Sequence, residues 1–364
     1  MAPRATKPPT SKAKVVPMGV MPAEWEPHAA TWLAFPHNKQ DWPGKFGGIP
    51  WVWAEIIRHL APGEIVNLLV NDAASEKKIQ RILAAAHVDL TRVVFHRFAT
   101  DRVWARDFGP IFVRTGAGKK TQISIAGFKF NAWAKYENWK KDTRIAAKAA
   151  AAIKVQLLDV QHNGKPVVLE GGSIDVNGQG TILTTEECLL DPKIQVRNAG
   201  FSRADYETIF ARTLGAKNTL WLGHGIAGDD THGHVDDLCR FVNESTVVLC
   251  QEPDPRDDNY MPLAENWERL EGAKLQDGSA LQVVPLPMPR PLYFKGVRVP
   301  ASYANFYIGN QVVLVPTFND PRDRTAIGTL QELFPTRQIV GIHAVDLVWG
   351  FGTLHCLSQQ QPKA

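Results

Sequence analysis

The stretch DDTHGHVDD, residues 229–237, packs two histidines and four aspartates into nine residues. Its position bears on the fold as much as its content bears on the chemistry. Three other segments are comparably polar: WARDFGP (104–110), LEGGS (169–173) and GTLHCLSQQQ (352–361). Asp107 and Glu170 are 63 residues apart, Glu170 and His234 64, and His234 and Cys356 122, twice 61. Near-equal steps suggest one β/α unit, repeated about five times, that presents one loop per copy to a common centre. The expected architecture is α/β: a closed ring of small modules around a polar middle.

The apolar pattern between these segments agrees with that expectation. IVNLLV (65–70), RVVFHRF (92–98), TQISIAGF (121–128), KPVVLEGG (165–172), TVVLCQ (246–251), LQVVPLP (281–287) and QVVLVPTF (311–318) are rich in β-branched residues and read as strands. Helical stretches lie between them. One runs over 74–87 from a Ser75 cap, one follows Asp142, one follows Ser202 and ends at Gly215, and one stops before Pro335. No Gly, Ser or Pro linker divides the body, so a single catalytic domain is expected over residues 21–364. Residues 1–20 carry Arg4, Lys7, Lys12 and Lys14 and no acid, and read as a disordered basic tail.

That tail accounts for the formal charge of +4, because removing its four cations leaves 37 basic against 37 acidic residues. A neutral body argues against a nucleic-acid groove. No run approaches the roughly 20 apolar residues of a membrane span. The cysteines are Cys188, Cys239, Cys250 and Cys356, with no CxxC pair. That pattern suits a reducing cytoplasm rather than a disulfide scaffold. Cys188, Cys239 and Cys250 sit in apolar runs and read as core.

Two chemistries compete for residues 229–237. His232, His234 and Asp236 alternate as metal ligands on a strand do, with His224 and His343 as further donors. The rival reading makes Cys356 a nucleophile. A free thiol has a pKa of about 8.5 and needs a nearby cation to ionise. His234 would serve as acid and base. Glu170 would hold the other imidazole nitrogen. Asp107 and Asp236 then remain as two extra carboxylates, which would repel a thiolate or an oxyanion. They make sense when the substrate is itself a cation. A guanidinium is flat, its N–H pairs match carboxylates in fork geometry, and its charge stabilises the thiolate.

At these residues the chain resembles the agmatine deiminase and bacterial-type peptidyl-arginine deiminase family of the pentein superfamily. The resemblance runs from MPAEWEPHAATWLAFP (21–36) to HCLSQQQP (355–362). It includes WARDFGP, FNAWAKY (130–136), LEGGSIDVNGQGTILTTEECLL (169–190), GHVDD (233–237) and ASYANFYIGN (301–310). It implies a pentein fold, a five-bladed pseudosymmetric α/β propeller of ββαβ-type units. It implies Cys356 as nucleophile, His234 as general acid and base with Glu170 as its partner, and Asp107 and Asp236 as guanidinium ligands. Trp104 would form pocket wall, and neither metal nor organic cofactor is needed. The expected reaction is hydrolysis of agmatine to N-carbamoylputrescine and ammonia through an amidino-thioether on Cys356. Peptidyl-arginine or another small guanidine is the alternative substrate. An amidinotransferase, a metal-dependent hydrolase and a catalytically dead binding module are the other readings. Asp230 and His232 stand where agmatine-type members carry glutamate and aspartate, near the expected place of the substrate's far end. Both are therefore candidate substrate contacts. No nucleic-acid or membrane partner is expected, and a homodimer or higher homo-oligomer stays open.

Overall fold

The computed structural model describes residues 17–364. Among these residues one arrangement recurs five times: an antiparallel pair of strands, a helix, and a third strand parallel to the second. In chain order, Ile111–Thr115 and Gln122–Gly127 pair antiparallel, the helix Ile145–Ile153 follows, and Gln156–Asp159 joins parallel. Asp175–Val176, Thr181–Thr185, the helix Arg203–Thr213 and Asn218–Leu222 repeat the pattern. So do Cys239–Phe241, Thr246–Gln251, the helix Tyr260–Leu270 and Gln282–Pro287. Tyr307–Ile308, Val312–Thr317, the helix Arg322–Leu333 and Gln338–His343 form the fourth copy. The fifth is assembled from both ends of the chain. The last strand, Ser358–Pro362, pairs antiparallel with the first, His28–Ala34, and the helix Ile49–Leu60 leads to Ile65–Leu69, parallel to His28–Ala34. A further helix, Ala73–Ala85, adds Val93–His96 to this sheet.

The middle strands are buried on both sides, as sheets covered by helices require; Thr246–Cys250 and Val312–Val315 are buried throughout. That is why they read as continuous apolar runs rather than alternating ones. The helix after Ser202 carries a full capping box with Asp205, worth roughly 1 kcal/mol. The helix expected to start from Ser75 begins earlier. Asp72 is its cap and accepts from the Ser75 N–H, because an extended residue at 72 leaves its carboxylate over the first turn. The strand expected over 165–172 is only Lys165–Pro166, and a tight turn at Gly171–Ser173 replaces the rest.

Of the tail expected over 1–20, residues 1–16 lie outside the described residues. From Met18 the backbone is tied down: its N–H donates to the Arg212 carbonyl, and Val20 forms a bridge with Arg114. Among the described residues no helix is long and apolar enough to cross a membrane.

Candidate active site

Each polar segment lies directly ahead of the first strand of one unit. Asp107 is in the short helix Ala105–Phe108, before Ile111–Thr115. Glu170 opens the turn before Asp175–Val176. His234 and Asp236 flank the turn before Cys239–Phe241, and Cys356 precedes Ser358–Pro362. The remaining unit places Asn305 two residues before Tyr307–Ile308. The interval of 122 between His234 and Cys356 is therefore two unequal steps, 71 and 51, with Asn305 between them.

These loops converge. Cys356 is 4% exposed, and its Sγ lies 3.7 Å from Asp236 Oδ2 and accepts from Asn305 Nδ2 at 3.0 Å. Asn305 Oδ1 in turn accepts from the backbone N–H groups of His355 and Cys356, which fixes the loop carrying the sulfur. His234 Nδ1 lies 3.8 Å from Asp107 Oδ1 and 4.0 Å from Asp236 Oδ1. Gly172 sits between these groups. A Cβ there would come within 2.6 Å of His234 Nδ1, 2.8 Å of Asp107 Oδ1 and 3.1 Å of Asp236 Oδ2. Its N–H donates to Asp107 Oδ1 at 3.1 Å. The second glycine of LEGGS is thus the space in which three catalytic candidates meet.

Trp133 Nε1 donates to the other oxygen, Asp107 Oδ2, at 2.9 Å. It does so from a turn in which Ala132, Trp133 and Ala134 all have positive φ (52°, 58° and 52°). Such conformations cost about 1 kcal/mol or more per non-glycine residue, so the surroundings hold a strained turn where it aims an indole at the acid.

Asp236 is held from behind. Its Oδ2 accepts from His355 Nδ1 at 2.6 Å, and His355 Nε2 donates to Glu24 Oε2 at 2.8 Å. Glu24 is also faced by Arg106 at 3.2 Å and Arg240 at 3.0 Å, and Arg240 binds Asp175. Breaking a buried charge pair of this kind costs about 3–5 kcal/mol, so Asp236 cannot rotate freely. Its Oδ1 remains buried without a hydrogen-bond partner among the described residues. Arg106 turns away from its neighbour Asp107 to Glu24 and Gln360.

A cavity of about 590 Å3 reaches this cluster, and Asp107 and Cys356 line it. Trp104, Trp133, Tyr136, Trp349 and Phe351 supply aromatic wall. Trp32, Trp42 and Trp53 are fully buried core, whereas Trp104, the expected pocket wall, and Trp133 face the cavity. Asp230 lines the cavity as expected, but Lys135 and Tyr136 already engage its carboxylate, the tyrosine hydroxyl at 2.6 Å. Arg102 lies at the same end, its guanidinium 4.1 Å from the centre of the Tyr136 ring and 3.3 Å from Asp41.

Two expectations need correction. His232 does not face the cavity. Its ring meets Asp191 at 3.0 Å and Glu187 at 3.5 Å. The backbone at His232 and Gly233 is left-handed (φ 64° and 87°), so strand-like alternation fails and the two imidazoles diverge. The metal triad His232–His234–Asp236 is therefore not assembled. Glu170 lies close to His234 but makes no hydrogen bond to it. Arg197 takes its Oε1 at 3.0 Å, while Glu170 Oε2 and both imidazole nitrogens have no hydrogen-bond partner among the described residues. Two other groups bring three possible metal donors together: Glu170, Cys188 and His234, and Asp236, Asp237 and Cys356.

The charges work against the thiolate in the empty site. Burial, then the negative charges of Asp236, Asp237 and Asp107, push the Cys356 thiol well above its ordinary value. Burial also pushes Asp107 up to about 7; His234 opposes this, and Asp236 and Glu170 add to it. For His234, burial favours the neutral ring, yet Asp107 above all holds the imidazolium well above its usual range. A pH dependence follows for any cationic ligand. Asp107 must be ionised to grip a cation, and below about 7 it takes a proton. Affinity is therefore expected to fall with acidification through pH 7, by up to about tenfold per unit for one proton. A calorimetric titration with a small guanidinium compound between pH 8 and 6 measures this.

Comparison with known proteins agrees with the motifs. The Porphyromonas-type peptidyl-arginine deiminase family matches residues 20–362. The chain belongs to that family, as the sequence resemblance implied. It is 33% identical to agmatine deiminase of Pseudomonas fluorescens over 94% of this chain and 95% of that one. The Ectopseudomonas mendocina agmatine deiminase is 32% identical with the same coverage. Among solved structures it resembles the agmatine deiminase of Enterococcus faecalis with a TM-score of 0.84 at 30% identity, over 95% of this chain and 96% of that one. A Cys-to-Ser variant of C. jejuni agmatine deiminase with substrate bound gives 0.82 at 29% identity, again over 95% and 96%.

Proposed function

We propose that this protein hydrolyses guanidinium groups, with agmatine the favoured substrate, giving N-carbamoylputrescine and ammonia. The observation that carries the reading is a buried thiol, ringed by Asp107, Asp236 and Asp237, that lines an aromatic cavity. A nucleophile so placed is disabled until a cation arrives, and a flat one fits between carboxylates.

The guanidinium enters between Asp107 and the unpartnered Oδ1 of Asp236. Its charge lowers the cost of ionising Cys356, whose proton leaves to solvent. The thiolate attacks the central carbon and forms the C–S bond. The His234 imidazolium protonates the departing nitrogen, the C–N bond breaks and ammonia leaves. The neutral imidazole then deprotonates a water that attacks the amidino-thioether. The C–S bond breaks, the sulfur recovers its electron pair, the hydroxyl proton passes to it as the carbonyl forms, and the neutral ureido product departs.

The far end of the substrate runs along Trp133 and Tyr136, whose rings lie 5.9 Å apart, toward Asp230. An aliphatic linker with a terminal ammonium matches that path. A second reading rests on Lys135 and Arg102: with a cation already on Asp230 and another at Tyr136, the site also suits a guanidine whose far end carries no free ammonium. Ammonia release from agmatine, free arginine and a peptidyl-arginine ester decides between them. Agmatine is expected to give the highest kcat/KM. A preference for either of the other two would favour the second reading, and no release from any would remove both.

The five units are inferred to close as a five-bladed propeller, because the chain's ends share one sheet and every unit sends a loop to one cluster. A single catalytic domain follows from that closure. The four free cysteines suit a reducing compartment such as the cytoplasm.

A further inference from the structure

The mechanism above leaves two buried donors unused, Cys188 and Glu170, and both adjoin the acid–base histidine. Cys188 lies in the short helix Glu186–Leu190. Thr185 caps that helix by accepting from the Cys188 N–H at 3.1 Å, and its hydroxyl donates to the carbonyl of Gly233, next to His234. One side chain thus locks the cysteine's helix to the histidine's loop. Ligand atoms of Cys188, His234 and Glu170 all lie within 4.8 Å of one another, and all three residues are buried. Arg197 occupies only one oxygen of Glu170. Its Oε2 and both nitrogens of His234 are buried with no hydrogen-bond partner among the described residues. Buried polar atoms are normally satisfied, so unpartnered atoms of Glu170 and His234 beside one thiol point to a ligand there.

We propose that Cys188, His234 and Glu170 form an inhibitory site for a thiophilic divalent cation such as Zn2+. The donor set is one sulfur, one imidazole nitrogen and one carboxylate oxygen, each an ordinary zinc ligand, and water can complete the fourth position. Tetrahedral binding asks the donors to close to roughly 3.5 Å from one another, a small movement from their present spacing. Asp107, 3.8 Å from His234 Nδ1, and Asp236, 4.0 Å from it, favour a cation beside that imidazole. On binding, the Cys188 thiol proton and one His234 imidazolium proton leave to solvent, so that a thiolate and a neutral imidazole nitrogen face the cation. His234 then has a nitrogen committed to the metal and can neither protonate the leaving ammonia nor activate water. The cation inhibits without touching Cys356, and a chelator restores turnover.

The test has two arms. In the first, ammonia release from agmatine is followed against buffered Zn2+ for the unaltered protein and for Cys188→Ala, whose thiol takes no part in the reaction. Loss of a ligand is expected to raise the half-inhibitory Zn2+ concentration at least roughly tenfold; equal sensitivity would overturn the proposal. The second arm needs no turnover, so it stands even if agmatine is not the substrate. Co2+ added to Cys356→Ser is expected to give a thiolate-to-cobalt absorption band that is absent in Cys188→Ala. A band kept in Cys188→Ala and lost in Cys356→Ser would put the metal on Asp236, Asp237 and the nucleophile instead. Cys188→Ser, with nearly the same volume, replaces the alanine variant if that fails to fold.

Discussion

Cys356→Ser is expected to abolish ammonia release, by on the order of 10^4-fold or more, while agmatine still binds. A hydroxyl keeps the size and hydrogen-bonding of the group but cannot supply an anion among Asp107, Asp236 and Asp237, where even the more acidic thiol is held protonated. Nothing in the acidic clamp is removed, so calorimetry should find a dissociation constant within a few-fold of that for the unaltered protein. A thiolate that forms beside the bound cation, 3.7 Å from Asp236 Oδ2, also helps to hold that cation, so any change in affinity on losing it should be toward weaker binding. Turnover within tenfold of normal would mean that another group attacks the guanidinium carbon.

The second large effect concerns His234. His234→Asn is expected to lower kcat by about 10^3–10^4-fold if, as proposed, one imidazole serves both as acid for the leaving ammonia and as base for the incoming water. Its effect on substrate binding should have the opposite sign. The imidazolium is a positive charge 3.8 Å from Asp107 and competes with the incoming cation. Without it no positive charge competes for Asp107, and where Asp107 is ionised agmatine should bind as tightly or more tightly. Asp236→Asn is the contrast, since it removes a proposed ligand of the guanidinium and should raise KM. A KM increase in His234→Asn with kcat preserved would assign the histidine to binding rather than proton transfer.

The features legible in the sequence were those written in local polar density. Asp107, His234, Asp236 and Cys356 each sit in a loop too polar for a core, and their spacing followed the unit length closely enough to suggest the repeat. Asn305 was hidden because ASYANFY reads as an unremarkable polar-aromatic stretch; only the pairing of Tyr307–Ile308 with Val312–Thr317 reveals that it occupies the same place as the others. Glu24 was hidden for another reason. Its partners Arg106, Arg240 and His355 come from three distant segments, and no local pattern encodes such a contact. Cys188 was read as core and is indeed buried, but burial alone does not say that its thiol faces an imidazole. His232 misled because alternate residues share a face only in extended backbone, and here positive φ at two successive residues turns the ring toward Glu187 and Asp191. Gly171 and Gly172 signalled a turn correctly but not their purpose, which is room: a Cβ on Gly171 would meet the Arg106 carbonyl at 2.3 Å.

The central claim is that the acids keep Cys356 protonated until a guanidinium sits among them. Thiolate ultraviolet absorbance, recorded against pH as the difference between the unaltered protein and Cys356→Ser, measures it directly, with and without saturating methylguanidinium. The account predicts that the free protein titrates well above the ordinary thiol value of about 8.5 and that the bound cation brings the transition down by about 1–3 pH units. A thiolate already formed at neutral pH in the free protein, or a titration that the cation does not move, would contradict it.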